Sequence, residues 1–279
     1  MICNICPRKC NIDRGRGKGF CHEGNKIRVS KIIENFCWEE PCLSGKKGTL
    51  VIFFSGCNLR CEFCQNYEIS HVGKGQEYSI SEFVSLLQSY DYSKLDSVDL
   101  ITPTQFSVDL ISALQKFKPP VPVIWNSSGY ESEGTIKALA KVVDVFLVDF
   151  KFYDSALSQR LAGASDYFEV ASRAVKLMSQ LKTNVLKNEM MTQGVLIRHL
   201  ILPGNVKDSL RVLDFIADEI KCPFVSIMSQ FTPNGHGELK RKLTPLECKA
   251  VLAHAERIGL TQGYFQDLNS ADDKFIPKF

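Results

Sequence analysis

Two patterns of hydrophobic and polar residues alternate along the chain after about residue 47. Short runs of consecutive apolar residues, rich in Val, Ile, Leu and Phe, are typical of strands buried on both faces of a sheet. Between them lie stretches whose apolar residues recur at the spacing of one helix face. The apolar runs predict six strands, at Thr49–Ser55, Val98–Ile101, Val121–Trp125, Val142–Val148, Val195–Leu202 and Phe224–Met228.

A helix is predicted after each of these strands. Ser79 and Glu82 have the spacing of a capping box, which predicts a helix from there to about Gln88. The other predicted helices span Ser107–Phe117, Ser132–Lys141, Tyr167–Leu181, Asp208–Ile220 and Pro245–Ile258.

The repeated strand–helix unit indicates an α/β fold with a parallel sheet, because parallel strands are joined by helical crossovers. A complete eight-unit barrel takes about 250 residues, which is more than the chain has after residue 47. We therefore predict a partial (β/α)6 barrel over residues 48–279, preceded by a small cysteine-rich segment over residues 1–47. An open doubly wound sheet would produce the same pattern and is the alternative.

The composition excludes several classes of function. The 279 residues carry 34 Lys and Arg against 31 Asp and Glu, a net charge of +3, which offers no electrostatic case for nucleic acid. No apolar run approaches the ~18 residues of a membrane-spanning helix. The first residues lack the basic-then-apolar pattern of a signal peptide. We expect a cytoplasmic protein that binds neither nucleic acid nor membranes.

Cysteine is the residue type that departs from an ordinary composition. The chain has 11 cysteines, and nine of them lie within the first 64 residues. An odd count, a long chain and no secretory signal argue against a framework of disulfides. Such clustering in a cytosolic chain is more typical of metal ligation or redox chemistry.

Three of these cysteines, Cys57, Cys61 and Cys64, follow the first predicted strand on one loop. Thiolates so close in sequence can bind one small object, and soft ligands of this kind select zinc or an iron–sulfur cluster. Three ligands leave a position open, which in metal sites usually receives a substrate or a cofactor. A structural zinc site completed by His71 or Cys42 is the alternative.

Polar residues recur where the predicted strands end. Because the carboxyl ends of parallel strands meet at one edge of a sheet or barrel, their side chains are expected to form one site. Thr102 and Thr104 follow the second strand, and Asn126 and Ser128 follow the third. Arg198 lies within the fifth predicted strand, where an unpaired charge would be costly to bury.

The segment Gly56–Asn66 resembles the signature loop of the radical SAM (S-adenosylmethionine) enzymes, C-x3-C-x2-C, in which an aromatic residue precedes the last cysteine. Phe63 is that aromatic residue here. The resemblance implies that the three cysteines bind three irons of a [4Fe–4S] cluster, and that the amino and carboxylate groups of SAM bind the fourth. It implies reductive cleavage of SAM to methionine and a 5′-deoxyadenosyl radical, which abstracts a hydrogen atom.

Two further segments resemble the activating enzymes of glycyl radical enzymes, typified by pyruvate formate-lyase activating enzyme. They are Asp149-Phe150-Lys151 after the fourth strand and the stretch from Arg198 to Pro203 and Gly204. In that branch the arginine lies near the SAM carboxylate. Many radical SAM enzymes have Gly-Gly-Glu where this chain has Thr102-Pro103-Thr104. A surface ion pair is the alternative interpretation of Asp149 and Lys151.

These observations predict a SAM site, and we expect Asp149, Lys151 and Arg198 to support SAM binding rather than folding. The predicted contacts are Phe63, Thr102, Thr104, Asn126, Ser128, Asp149, Lys151 and Arg198.

A second group of cysteines lies at the N-terminus. Cys3, Cys6, Cys10 and Cys21 supply four soft ligands within 19 residues, separated by a loop rich in glycine. Four thiolates can close a structural zinc site or hold a second [4Fe–4S] cluster, and the third alternative is that no metal binds. Cys37 or Cys42 could replace one of the four.

The resemblance implies a radical SAM oxidoreductase that acts on a protein or peptide, with activation of a partner by removal of a glycine α-hydrogen as one form of that activity. It also implies an electron donor such as flavodoxin or ferredoxin. Modification of a small molecule or another peptide is the first alternative. A non-catalytic iron–sulfur or zinc protein is the second.

Overall fold

A single mixed sheet forms the centre of the protein, whose computed structural model describes residues 2–266. Within that range the strands are β1 (Ile27–Phe36), β2 (Thr49–Phe54), β3 (Gln76–Tyr78), β4 (Ser97–Ile101), β5 (Val123–Ser127), β6 (Val145–Asp149), β7 (Val185–Lys187), β8 (Met190–Leu200), β9 (Phe224–Met228) and β10 (Gly263–Gln266).

Helices connect most of the strands. They are α1 (Pro41–Ser44), α2 (Ile80–Gln88), α3 (Ser107–Lys116), α4 (Glu133–Leu139), α5 (Ser155–Ala162), α6 (Tyr167–Leu181), α7 (Val206–Glu219) and α8 (Pro245–Arg257). A π-helical turn, Glu68–Val72, follows the cysteine loop. The predicted capping box of α2 is present, with Ser79 and Glu82 each bonded to the other's backbone N–H.

The strand order is β10-β9-β8-β6-β5-β4-β2-β1-β3. Every pairing from β10 to β2 is parallel, whereas β1 is antiparallel to both β2 and β3. Over residues 2–266 the sheet has two ends and does not close into a complete barrel. This mostly parallel α/β arrangement confirms the predicted fold class.

The six predicted strands correspond to β2, β4, β5, β6, β8 and β9, with shifted ends. Strands β5 and β6 run on to Ser127 and Asp149, because backbone pairing continues past the last apolar residue. Strand β1 was not predicted, since only some of its alternate residues are buried and its polar residues break the apolar run. It lies inside the cysteine-rich range yet pairs with β2, and the division at residue 47 stays a prediction.

Alternate residues of each parallel strand serve two different apolar layers. In β2, Ile52 and Phe54 join the main core between the sheet and the helices, while Val51 and Phe53 join a smaller cluster on the other face. All six residues of β2 are buried. Burying a side chain of this size contributes about 1.5–3 kcal/mol, so the core holds the strand ends firmly in place.

The backbone turns sharply at Gly56, between β2 and the cysteine loop. Its φ is +74°, and a Cβ there would lie 2.4 Å from the carbonyl oxygen of Cys21. We predict that Gly56→Ala lowers the free energy of unfolding by more than about 1 kcal/mol, because left-handed backbone strain and a backbone clash combine. Gly134, in α4, has nothing within 4 Å of the equivalent position.

Gly134→Ala is therefore the matched control and should raise stability by about 0.5–1 kcal/mol. Urea unfolding of both variants checks the prediction. If both substitutions changed the free energy of unfolding equally, the close contact between the Cys21 carbonyl and Gly56 would be contradicted.

Candidate active site

A cavity of about 440 Å³ opens where the parallel strands end. Cys57, Cys61 and Cys64 line one side of it, and each residue predicted to contact SAM also lines it. The structure thus brings together groups that are far apart in sequence. The volume of the cavity lies within the range of roughly 300–1,000 Å³ that is typical of cofactor and ligand pockets.

Backbone hydrogen bonds hold the cysteine loop in place. The N–H groups of Arg60 and Glu62 donate to the carbonyls of Ala162 and Leu161 at the end of α5, at 2.9 and 3.0 Å. The Asn234 side-chain amide donates to the carbonyls of Glu62 and Cys64, both at 3.0 Å. This role of Asn234 was not predicted, because the contact joins distant segments and leaves no local pattern. Helix α5 was also not predicted, although Asp154 and Gly163 cap its two ends.

The three thiols lie at the cavity wall, with Cys61 buried and Cys57 and Cys64 half-buried. Burial raises the pKa of the Cys57 thiol to about 11 and also raises those of Cys61 and Cys64. The Leu59 N–H donates to the Cys57 sulfur at 3.4 Å, and the Ser70 hydroxyl donates to the Cys64 sulfur at 3.4 Å. The thiols are therefore neutral on their own, and metal binding would displace their protons.

The thiols do not form a site for one metal ion. Among residues 2–266, no three Cys, His, Asp or Glu side chains meet as the ligands of a single ion would. Cluster ligands each bind a different iron and need not meet at one point. Cys42, the proposed zinc alternative, is fully buried in a separate apolar cluster with Leu147 and Leu196. His71 does line the cavity, and its Nδ1 lies 2.8 Å from the Ser70 hydroxyl.

Lys151 and Asp149 form an ion pair at 2.7 Å inside the cavity, rather than on the surface. Burial alone would lower the pKa of Lys151, but the Asp149 carboxylate and the neighbouring thiols raise it. In return, the Lys151 ammonium favours the thiolate form of Cys61. The Tyr167 hydroxyl braces this segment, since it accepts from the Lys151 N–H at 2.9 Å and lies 2.8 Å from the Ser128 carbonyl.

Arg198 is the most heavily bonded side chain of the site. Its guanidinium donates to Asp149 at 3.0 Å, to Asn126 at 2.8 Å and to Glu39 at 2.8 Å. Glu40 lies 3.8 Å away. Neither glutamate was singled out in the sequence. They lie together between β1 and α1, and Glu39 lines the cavity.

The acidic groups outnumber the cations in this network. Asp99 is fully buried and accepts from the Asn126 amide at 3.0 Å. Burial and the nearby Glu39 carboxylate raise the pKa of Asp99 well above its usual range. Burial also raises the pKa of Glu39 to about 7, although Arg198 acts against that shift. The site therefore retains at least one carboxyl proton near neutral pH.

Comparison with known proteins places this geometry in a family. The model of the radical SAM superfamily matches residues 51–216, which include the cysteine loop and the strand ends from β2 to β8. The chain belongs to the radical SAM superfamily. Membership implies an enzyme with a [4Fe–4S] cluster and SAM as cofactors.

The relatives of this radical SAM protein include two uncharacterized proteins of Methanocaldococcus jannaschii. One is 29% identical, and the similarity covers 92% of this chain and 75% of the relative. The other is 26% identical, and the similarity covers 83% of this chain and 71% of the relative. A pyruvate formate-lyase-activating enzyme of Clostridium pasteurianum is 24% identical, and the similarity covers 61% of this chain and 70% of that enzyme.

A solved domain of a pyruvate-formate lyase-activating enzyme from Bacteroides vulgatus is 12% identical, with 57% of this chain and 91% of that chain covered and a TM-score of 0.44.

The other residues predicted to contact SAM differ in the contacts that they already make within this radical SAM protein. Thr104 is buried and its hydroxyl donates to Glu131 at 2.8 Å, so the side chain is already engaged. Thr102 has a φ of +58°, which is strained for a β-branched residue and is the kind of strain found at functional sites. Phe63 packs edge-on against Phe152 and supports the cysteine loop.

The predicted role of Arg198 at the SAM site stays a prediction, and its buried ion pairs predict a contribution to folding as well. Arg198→Ala should lower the free energy of unfolding by about 3–5 kcal/mol, because it leaves buried carboxylates without their cation. The matched control is Arg173→Ala, which removes only an exposed ion pair with Glu169 and should change stability by less than about 1 kcal/mol. Urea unfolding compares them, and similar losses would contradict the buried network.

The raised pKa of Glu39 predicts a dependence of stability on pH. A carboxyl that binds its proton more tightly when folded stabilises the protein at low pH, and that contribution is lost as the pH rises through the folded pKa of about 7. We expect the free energy of unfolding to fall between about pH 5 and pH 8, by roughly 2 kcal/mol from this group.

The side chain introduced by Glu39→Gln cannot ionise, so this variant should lose this part of the pH dependence of the free energy of unfolding. Glu133→Gln, at an exposed pair with Lys137, should leave the slope unchanged. Unfolding curves across this pH range decide the matter, and parallel curves for Glu39→Gln and the parent protein would show that Glu39 does not titrate there.

Proposed function

We propose that Cys57, Cys61 and Cys64 hold the [4Fe–4S] cluster and that SAM binds beside it in the 440 Å³ cavity. The observation that carries the proposal is the presence of three thiols, one buried and two half-buried, with no fourth cysteine beside them on the loop, at the wall of a cavity large enough for a cofactor. When bound, the cluster and SAM supply a carbon radical that abstracts a hydrogen atom.

The residues of the cavity suit those groups in charge and position. Lys151 lies beside the thiols and offsets part of the negative charge that their thiolates would carry. Asp149 and Glu39 also line the cavity, and their carboxyl groups favour the ammonium and sulfonium groups of SAM. Arg198 already has three hydrogen-bonded partners, so we assign it the positioning of Asp149 and Asn126 rather than direct binding of a carboxylate.

We propose further that the protein is an activating-enzyme-like radical SAM oxidoreductase with a protein or peptide substrate. The Asp149-Phe150-Lys151 segment and the similarity to the Clostridium pasteurianum activating enzyme support this subtype. The exposed Trp38 and Cys37, which line the cavity, offer a surface for a polypeptide. A flavodoxin or ferredoxin would supply the electron in this scheme.

A small molecule is the alternative substrate, because a cavity of about 440 Å³ is of the size that binds small ligands. No helix in the described part of the chain is long and apolar enough to cross a membrane.

The test of the cluster assignment compares two variants after anaerobic reconstitution. The Cys57→Ala/Cys61→Ala/Cys64→Ala variant should lose about four irons per chain and all conversion of SAM to 5′-deoxyadenosine. Cys222→Ala removes an exposed cysteine outside the cavity and should change neither. Full iron content and full SAM cleavage in the triple variant would exclude these cysteines as the cluster ligands.

The substrate subtype needs a separate experiment. The reconstituted protein, a reductant and SAM are mixed with a glycyl radical enzyme, and electron paramagnetic resonance (EPR) is used to look for a glycyl radical. A glycyl radical that depends on SAM supports the activating subtype. Formation of 5′-deoxyadenosine without any radical on the partner would contradict that subtype and leave the superfamily assignment intact.

A further inference from the structure

Three aromatic rings are stacked beside the cysteine loop. The Tyr67 ring lies nearly parallel to that of His71, with 4.1 Å between the ring centroids and 9° between the planes. It lies equally close to the ring of His236, at 3.9 Å and 10°. Two rings at this distance cannot share one face of Tyr67, so Tyr67 is the middle ring of the three. We refer to His71, Tyr67 and His236 as the ring stack.

The ring stack runs from the protein surface to the active-site cavity. His236 is exposed, whereas Tyr67 and His71 are half-buried. His71 lines the cavity together with Ser70 and Cys64. The His71 Nδ1 atom lies 2.8 Å from the Ser70 hydroxyl, which in turn lies 3.4 Å from the Cys64 sulfur. The contacts therefore form a continuous chain from an exposed ring to a predicted cluster ligand.

Hydrogen bonds fix the loop that carries His236. Two residues before it, the Asn234 amide donates to two carbonyls of the cysteine loop. Two residues after it, the Glu238 N–H donates to the Glu62 carboxylate at 2.7 Å. A Cβ at Gly237 would lie 2.1 Å from the Glu62 carboxyl carbon, so this approach needs glycine. The His236 ring is therefore held in its stacked position before any partner binds, which lowers the entropy cost of binding.

Positive charge lies beside both ends of the ring stack. In the loop that carries His236, the Lys240 ammonium donates to the Gly235 carbonyl at 3.3 Å and to no carboxylate of residues 2–266. At the inner end, burial and the charge of Arg60 lower the pKa of His71 to about 4. The Arg60 guanidinium donates to backbone carbonyls. A protein that approaches the exposed ring would therefore meet a positive surface.

Two acidic side chains of the adjoining segments are already paired. Glu238 forms an ion pair with Arg160 at 2.9 Å, and Glu68 forms one with Lys74. These pairs add little net charge, so they leave the positive charge of Lys240 in place. Complementary charge speeds the encounter of two proteins and fixes their orientation. The surface around His236 is thus suited to a partner with acidic residues around its own reactive centre.

We propose that the surface around His236 is the docking site of an acidic, low-potential electron-donor protein, and that the electron reaches the cluster on Cys57, Cys61 and Cys64 through the ring stack. This inference rests on the proposed function, since it requires a cluster on these cysteines.

The transfer moves one electron and changes no bond. The anionic flavin hydroquinone of a flavodoxin, for example, loses one electron and becomes the neutral semiquinone, while the cluster passes from the 2+ to the 1+ state. The rings are not themselves reduced. They shorten the empty gap between the donor and Cys64, and electron transfer slows steeply as such a gap widens.

The route is tested by comparing Tyr67→Leu with Tyr67→Phe. Leucine removes the middle ring, whereas phenylalanine keeps it and is the matched control. With saturating reduced flavodoxin, EPR should show that the cluster of Tyr67→Leu is reduced at least about fivefold more slowly than that of the parent protein, because the two histidine rings lose the contact between them. Tyr67→Phe should match the parent protein. Dithionite is small enough to enter the cavity and should reduce all three proteins at the same rate.

Several outcomes would overturn this route. One is an equal rate with flavodoxin in Tyr67→Leu and Tyr67→Phe. Another is a loss of iron in Tyr67→Leu or an equal slowing with dithionite, because the ring stack would then only brace the cysteine loop. Reduction of the parent protein by dithionite but by no flavodoxin or ferredoxin would also overturn it. A parent protein with no reducible cluster would contradict the proposed function itself, so the two failures can be told apart.

The docking site is tested with Lys240→Gln. The matched control is Lys221→Gln, an exposed lysine between α7 and β9, at the end of the strands opposite the cavity. Isothermal titration calorimetry at low salt should show that Lys240→Gln binds flavodoxin about two- to fivefold more weakly than the parent protein, as expected for one exposed ion pair. The maximal rate of cluster reduction should stay unchanged. Equal affinities of the two variants, or binding that does not weaken as salt is added, would overturn the docking site.

Discussion

The guanidinium of Arg198 is the interaction on which the shape of the active site depends. It extends from β8 and bonds to Asp149 on β6, to Asn126 on β5 and to Glu39 in the segment before α1. Three strand ends and one loop thus meet at a single planar cation. A guanidinium suits this position because its donors spread in a plane, and because it stays charged when buried.

Several buried carboxyl groups surround the Arg198 guanidinium, and they outnumber it. Asp99, Glu39, Glu40 and Asp149 lie near one another around the same cation, and burial together with the neighbouring carboxylates raises the pKa values of Asp99 and Glu39. Such an arrangement weakens the fold relative to an apolar core of the same size. It is retained at the wall of a cavity where a cationic cofactor would balance it, as is common for strained and charged groups at functional sites.

Much of the fold and of the site could be predicted from the sequence, since both leave local patterns. The apolar runs located the six central parallel strands, and the cysteine spacing located the loop whose thiols line the cavity. Local patterns miss what depends on partners far along the chain. Glu39 looks like an ordinary charged residue until Arg198, 159 positions away, is placed beside it. Strand β1 is recognisable only once β2 is there to pair with it.

The proposed function requires that SAM bind directly to a cluster on Cys57, Cys61 and Cys64. The most direct test is electron–nuclear double resonance on the reduced protein with SAM carrying ¹⁵N in its amino group and ¹⁷O in its carboxylate. We expect hyperfine coupling from both nuclei to the cluster. A reduced cluster that shows no coupling to either label, although SAM is bound, would contradict it.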